Sequence, residues 1–138
     1  MGACYAVEIS LQFKDTAGSE EAATKALRKY IKTARANFHL DRFAKEGVGT
    51  DTFDDLMRIL LAGFKNHEVI IEDHGEWRVY SNEFDASYSY EPIMVDAFEA
   101  ISPYLKNGSS IKLWPDNDHC EWTVHDEQMH LSCSSDTK

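Results

Sequence analysis

The side chains that could carry chemistry are concentrated near the C-terminus, where residues of the types that bind zinc lie close together. A structural zinc site needs about four converging nitrogen or sulfur ligands, commonly in closely spaced pairs. His119 and Cys120 are adjacent in a predicted strand, where neighbours point to opposite faces. These two side chains therefore cannot both face one ion unless the turn bends them. We therefore interpret the cluster as ordinary surface histidines and a half-buried cysteine, and predict neither a metal nor a cofactor. The residues concerned are Asp116, Asp118, His119, Cys120, His125, His130 and Cys133.

Catalysis is not favoured by the remaining reactive residues. A nucleophile needs a base and an orienting acid beside it, and no spacing ties Cys4 or Cys120 to a histidine. The sequence contains no glycine-rich loop of the forms that bind phosphate. Carboxylates are so numerous that no pair stands out as a general acid and base. We predict a protein that is not an enzyme and has no catalytic residues.

Charge is the most informative property of the sequence, because the formal net charge of −10 is unevenly distributed. Residues 1–45 contain eight Lys and Arg against five Asp and Glu, whereas residues 46–138 contain six against nineteen. An acidic surface repels nucleic-acid phosphates over the Debye length, roughly 8–10 Å in ordinary salt. We therefore predict no direct binding to nucleic acid, and a basic protein surface as the natural partner.

Pairs of carboxylates in predicted turns are the candidate partner-binding residues. Most acidic turns only improve solvation. Carboxylates held at fixed spacing can also imitate backbone phosphates, and so occupy the Lys- and Arg-lined groove of an enzyme that acts on nucleic acid. The predicted partner-binding residues are Glu72, Asp73, Asp116, Asp118, Asp126 and Glu127.

Length and composition predict one domain over residues 1–131, followed by a disordered polar tail over residues 132–138. No apolar run approaches the ~20 residues of a membrane helix, and the first residues lack a signal-peptide pattern. The three cysteines form no dense framework, which favours reduced thiols in a reducing compartment. We predict a cytoplasmic protein without membrane contact.

Hydrophobic periodicity predicts an α+β fold. Residues 5–13 alternate as a half-buried strand, and Ser19 begins an amphipathic helix. Thr52 and Asp55 resemble a capping box before an apolar helical stripe. A predicted hairpin, a bulge at residues 81–83 and a helix that starts at Pro92 and is shortened near Pro103 follow, before a last group of strands. We expect a two-layer sandwich, with helices on one face of a ferredoxin-like antiparallel sheet.

The segment Phe84-Asp85-Ala86-Ser87-Tyr88-Ser89-Tyr90-Glu91-Pro92, with the helix and acidic strand pair after it, resembles a known type of domain. This is the ferredoxin-like domain of small phage- and plasmid-encoded proteins, in which a strand of the form F-x-[TA]-x-[WY] runs into a proline-started helix. The resemblance covers residues 76–131. It implies the fold and a mobile-element setting, and it brings no catalytic residues with it.

Charge and resemblance together predict an inhibitor encoded by a phage or mobile element, of the anti-CRISPR type. Such a protein would occupy the basic surface of a CRISPR-type nuclease. A small-molecule or metal-binding domain, with its pocket between sheet and helices, is the alternative from another functional class. A self-associating structural subunit is a third possibility, and the sequence leaves the oligomeric state open.

Overall fold

The computed structural model describes residues 3–14, 18–33, 40–62, 69–75, 77–86, 90–115, 118–126 and 128–135. In this part of the chain, a strand and a group of helices precede a pair of strands. A further helix and a 3-10 turn, Ser102–Tyr104, then lead into the last strands. The elements are β1 (Ala3–Leu11), α1 (Ser19–Thr33), α2 (Leu40–Lys45), α3 (Phe53–Leu60), β2 (Ile70–His74), β3 (Trp77–Ala86), α4 (Tyr90–Ile101), β4 (Ser110–Pro115), β5 (Asp118–His125) and β6 (Gln128–Ser135).

The described strands form one antiparallel sheet with the order β2-β3-β1-β4-β5-β6. β1 lies in the interior of this sheet, because β3 pairs along one of its edges and β4 along the other. Helices and an antiparallel sheet in one chain confirm the α+β class that the sequence predicts.

Strand alternation gives the sheet two chemically different faces. In β1 the alternating residues Tyr5, Val7, Ile9 and Leu11 are all buried, and the residues between them are not. The buried residues join the apolar side chains of α1, α3 and α4 in one core. Each large apolar side chain buried in this way stabilises the fold by roughly 1.5–3 kcal/mol. The helices therefore cover one face of the sheet, here called the helix face.

The start of α3 confirms half of the predicted capping box. The Thr52 hydroxyl accepts a hydrogen bond from the Asp55 backbone N–H at 3.1 Å, as an N-cap residue does. The Asp55 carboxylate binds the guanidinium of Arg58, one turn later, at 2.6 Å. Thr52 therefore caps the helix, while the shorter acid in the place of glutamate stabilises its first turn through an ion pair.

Buried polar side chains connect the helices to one another and to the sheet. Asn82 on β3 donates from Nδ2 to the carbonyl of Leu61 at 2.8 Å, just after α3. The Tyr30 hydroxyl of α1 donates to the Ile93 carbonyl of α4 at 2.8 Å. The Tyr90 hydroxyl of α4 donates to a carbonyl near the end of α3. These bonds satisfy polar groups that would otherwise be buried without a partner.

Three element boundaries differ from the sequence-based expectation. Residues 81–83, predicted as a bulge, continue the regular β1–β3 ladder, so β3 is a single strand. The helix predicted from Pro92 begins at Tyr90, and α4 ends at Ile101 before the 3-10 turn that contains Pro103. β6 extends to Ser135, so residues 132–135 of the predicted tail pair with β5.

Within the residues that the structure describes, no helix is both long enough and apolar enough to span a membrane.

Candidate functional site

The predicted acidic turns lie at two opposite ends of the sheet. Leu11, at the end of β1, pairs with Arg78 of β3, and Ser10 pairs with Ser110 of β4. The β2–β3 turn and the start of β4 therefore lie at the end of the sheet where β1 ends. Because neighbouring strands are antiparallel, the β5–β6 turn is also at this end. The end of β4 and the start of β5 lie at the other end.

The structure places four of the six predicted partner-binding residues on the sheet, and these four do not form one patch. Asp118 begins β5, whereas Asp126 follows its last residue, and a strand of this length spans about 26 Å. Asp126 is exposed and has a left-handed backbone with φ 54°. Glu72 and Asp73 are both exposed, and as neighbours in β2 they point to opposite faces. Asp116 and Glu127 lie outside the described residues.

The face of the sheet opposite the described helices gathers carboxylates, most of which the sequence pattern does not single out. Glu8 on β1 and Glu121 on β5 both lie opposite Lys112 on β4, in one row across three strands. Glu83 on β3 lies one row away, and Glu72 on β2 belongs to the same face. We call this surface the acidic sheet face, and its carboxylates are those of Glu8, Glu72, Glu83, Asp85 and Glu121.

The charge of the acidic sheet face is strongly unbalanced. Its described strand residues supply five carboxylates, all exposed or half-buried, and the strands supply one lysine to it, Lys112. The Cα atoms of Glu8 and Glu121 are about 10 Å apart, since they are separated by two strand spacings. A sheet holds its side chains at fixed spacing, so this face presents ordered negative charge to the solvent.

Apolar groups accompany the carboxylates on the same face. Ile70 on β2 is 58% exposed, an unusual value for a large hydrophobic residue. Trp114 on β4 and Trp77 on β3 are half-buried. A Cβ atom at Gly108 would lie 3.6 Å from the Trp77 ring, so this indole extends across the end of β1 towards the start of β4. The face therefore also presents aromatic surface, which is enriched at partner-binding surfaces.

A second polar cluster lies on the helix face, around Arg78 of β3. Its guanidinium contacts Glu20 at 3.3 Å and Asp54 at 3.6 Å, and it stacks 5.4 Å from the ring centroid of Phe13. The Tyr80 hydroxyl accepts from Arg78 at 3.2 Å and donates to Asp54 at 2.6 Å. Each polar group has a partner inside the protein, so the cluster joins α1, α3 and β3.

The pKa values of Tyr80 and Arg78 do not favour a catalytic role for these two residues. Burial and the hydrogen bond to Asp54 raise the pKa of Tyr80 above the usual tyrosine range. Burial acts to lower the pKa of Arg78, but the bonds to Tyr80 and Glu20 outweigh it and raise the pKa. Tyr80 therefore keeps its proton and Arg78 its charge at neutral pH. Neither residue is poised to exchange a proton with a substrate.

The cysteines differ from the sequence-based expectation. Cys120 is disulfide-bonded, so the prediction of reduced thiols is wrong for this residue. Cys4 is an exposed thiol, and Cys133 occupies the position directly opposite Cys120 in the β5–β6 ladder. A disulfide sulfur is not a thiolate ligand, which removes Cys120 from any metal set.

The histidines of this region meet in one pair. The rings of His125 and His130 lie 5.8 Å apart between centroids, on neighbouring strands, and both side chains are exposed. His125 Nε2 is 3.4 Å from the Asp126 carboxylate. Across the residues with described side chains, no group of three or more His, Cys, Asp or Glu could hold a metal ion.

No protein-family model, curated protein or solved structure matches this chain.

The acidic sheet face could not be found from local sequence patterns. Glu8, Glu83 and Glu121 each alternate with buried residues in a strand, as any half-buried strand requires. They come together only through the pairing of strands distant in the chain. The turn carboxylates are adjacent in sequence and therefore conspicuous, but the topology separates them.

Proposed function

We propose that this protein is a non-enzymatic inhibitor that binds the basic surface of a nucleic-acid enzyme through its acidic sheet face. The candidate target is a CRISPR-type nuclease, whose nucleic-acid groove presents Lys and Arg side chains to the phosphates. The proposed partner contacts the face that includes Glu8, Glu83 and Glu121. Glu72 is the predicted turn residue that also belongs to this face.

The observation that carries the proposal is the charge of the acidic sheet face. Five carboxylates against one lysine lie on a surface whose geometry is fixed by strand pairing. Such a surface attracts a basic partner and accelerates its association. Because strand pairing fixes the backbone of these residues before binding, little backbone entropy is lost when their carboxylates meet the Lys and Arg side chains.

The fold provides a second, weaker support. The described elements follow the order strand, helices, strand, strand, helix, strand, with β1 between β3 and β4. We take this order as support for a βαββαβ pattern like that of ferredoxin-like domains, with β5 and β6 as two added strands. The proposal includes a ferredoxin-like sandwich of phage or plasmid origin, in agreement with the resemblance of the segment that begins at Phe84.

The test is a cleavage assay with a panel of purified CRISPR effector nucleases, in which this protein is titrated at low and high salt. We expect inhibition of at least one effector, weaker at high salt because exposed charge pairs are screened. The triple variant Glu8→Gln, Glu83→Gln, Glu121→Gln should lose about tenfold in potency, since much of the steering charge is removed.

The matched control removes three charges elsewhere. Asp41 on α2, with Asp96 and Glu99 on α4, are exposed carboxylates of the helical layer. The variant Asp41→Asn, Asp96→Asn, Glu99→Gln has the same net charge as the sheet variant and should inhibit like the original protein. Inhibition of no effector would overturn the nuclease assignment. Equal losses in both variants would show that net charge acts without a defined surface.

A further inference from the structure

The acidic sheet face contains a recess of about 470 Å³ between its middle strands. Two small residues form its floor. Ala6 on β1 lies in register between Glu83 of β3 and Trp114 of β4. In the next row Ser81 on β3 lies between Ile70 of β2 and Glu8 of β1. The recess exists because short side chains alternate with long ones across the sheet.

The walls of the recess are two carboxylates, an indole and an exposed aliphatic side chain. Glu83 and Trp114 are separated by two strand spacings, about 10 Å between Cα atoms, which leaves room for one side chain between them. Glu8 and Glu83 are diagonal neighbours on adjacent strands, about 7–8 Å apart. Among the described residues that line the recess, none is a lysine or an arginine.

This combination is complementary to one kind of side chain. A cation gains from two nearby carboxylates and from the face of a tryptophan ring. A long aliphatic stem gains from burial against Ile70 and the indole. The guanidinium of arginine is planar, stacks on aromatic rings, and can donate to two carboxylates at once, which the compact lysine ammonium does less well.

We infer that the recess binds a single arginine side chain from a basic, extended segment of the partner protein. The guanidinium lies between Glu8 and Glu83 and stacks on Trp114, while its aliphatic stem passes Ile70. This inference rests on the proposed function, because it assigns a specific anchor to the same face. The rest of the face attracts the segment through charge without selecting arginine over lysine.

The experiment compares two nine-residue peptides, oligoarginine and oligolysine, by NMR titration of the full protein. The indole N–H signals of the three tryptophans are assigned with Trp→Phe variants. We expect oligoarginine to shift the Trp114 signal and to bind at least fivefold more tightly than oligolysine. The Trp122 signal should not move, since this half-buried residue packs against the core on the helix face.

Filling the recess provides the decisive variant. Ala6→Val adds two methyl groups to a half-buried strand position of the acidic sheet face, where a β-branched residue is well tolerated. The variant should abolish the preference for arginine and leave oligolysine binding unchanged. Its thermal unfolding is measured in parallel, and Ser10→Val, on the same face of β1 outside the recess lining, is the matched control.

The outcomes separate this inference from the proposed function. If both peptides bind equally and the Trp114 signal does not move, the arginine site is refuted. Nuclease inhibition can still depend on the sheet carboxylates in that case. Absence of oligoarginine binding refutes the arginine site as well. A preference for arginine that is lost in Ala6→Val, without nuclease inhibition, supports the site and refutes the nuclease target.

Discussion

Glu8 of β1 and Lys112 of β4 occupy directly opposed positions in the central ladder of the sheet. Lys112 is also opposite Glu121 of β5, so the single strand lysine of the acidic sheet face lies between two carboxylates. This arrangement reduces repulsion where the face would otherwise be most negative. Lys112 therefore limits the negative charge that the face offers to a basic partner.

Replacing Lys112 should strengthen binding to a cationic partner. In Lys112→Gln the face loses its opposing charge. A unit charge about 7 Å from a bound cation contributes about 0.6 kcal/mol in water, so oligolysine should bind about threefold more tightly at low salt. Isothermal titration calorimetry at two salt concentrations measures the change. The control is Lys45→Gln, at an exposed position of α2, and an equal gain in this variant would contradict the account.

Removing the Tyr80 hydroxyl should destabilise the protein without affecting the acidic sheet face. The hydroxyl bonds Asp54 and Arg78, both charged, and Tyr80 is fully buried. Hydrogen bonds to charged groups contribute about 1.5–3 kcal/mol, so Tyr80→Phe should lower the free energy of unfolding by that amount in urea. The Tyr104 hydroxyl makes no hydrogen bond to the described residues, so Tyr104→Phe should change stability little. Similar losses of unfolding free energy in Tyr80→Phe and Tyr104→Phe would contradict the stabilising role of the polar cluster around Arg78.

Alkaline pH should unfold the protein through its buried tyrosines. Burial raises the pKa of Tyr80 and of Tyr90 above the usual range. The unfolded chain therefore loses these protons near pH 10, whereas the folded state keeps them. The contribution of these tyrosines to the free energy of unfolding is fully present below about pH 10. Above that pH the free energy of unfolding should fall by up to about 1.4 kcal/mol per pH unit for each such tyrosine.

The measurement is urea unfolding between pH 8 and pH 11, compared with tyrosine ionisation followed by absorbance. Tyr80→Phe, although less stable at neutral pH, should show a shallower alkaline decline. Ionisation of every tyrosine near pH 10 without a loss of stability would contradict the burial that the structure describes.

The cysteines should respond to alkylation in two steps. Cys120 is disulfide-bonded and Cys4 is an exposed thiol. Cys133 lies opposite Cys120 in the ladder, a separation that a disulfide can bridge. Protein purified without reductant and denatured should therefore gain one alkyl group, at Cys4, and three after reduction. Mass spectrometry of the intact chain counts them, and three groups without reduction would contradict the disulfide.

Local patterns in the sequence predict much of the fold. Alternation in β1, the Thr52 cap of α3 and the end of α4 near Pro103 all depend on residues close together in the chain. The continuity of β3 through Asn82 could not be predicted, because that amide bonds the Leu61 carbonyl and replaces an apolar contact in the core. A polar residue at a buried strand position therefore resembles a bulge in the sequence.

The candidate site was much less predictable, for a related reason. The conspicuous pair Glu72 and Asp73 is adjacent in sequence, yet the two side chains point to opposite faces of β2. Glu8 and Glu121 are distant in sequence and share a row only because β4 pairs with both of their strands. Surface charge follows strand register, and register is decided by the packing of the whole sheet.

The most direct test of the acidic sheet face is the side-chain carboxyl spectrum of the protein, recorded by NMR during titration with oligolysine. We expect the carboxyl carbons of Glu8, Glu83 and Glu121 to shift together, with one affinity and a strong salt dependence. Asp96 and Glu99 on α4 should keep their positions. Shifts confined to the helical carboxylates, or spread evenly over both sets, would contradict the claim that the acidic sheet face is the binding surface.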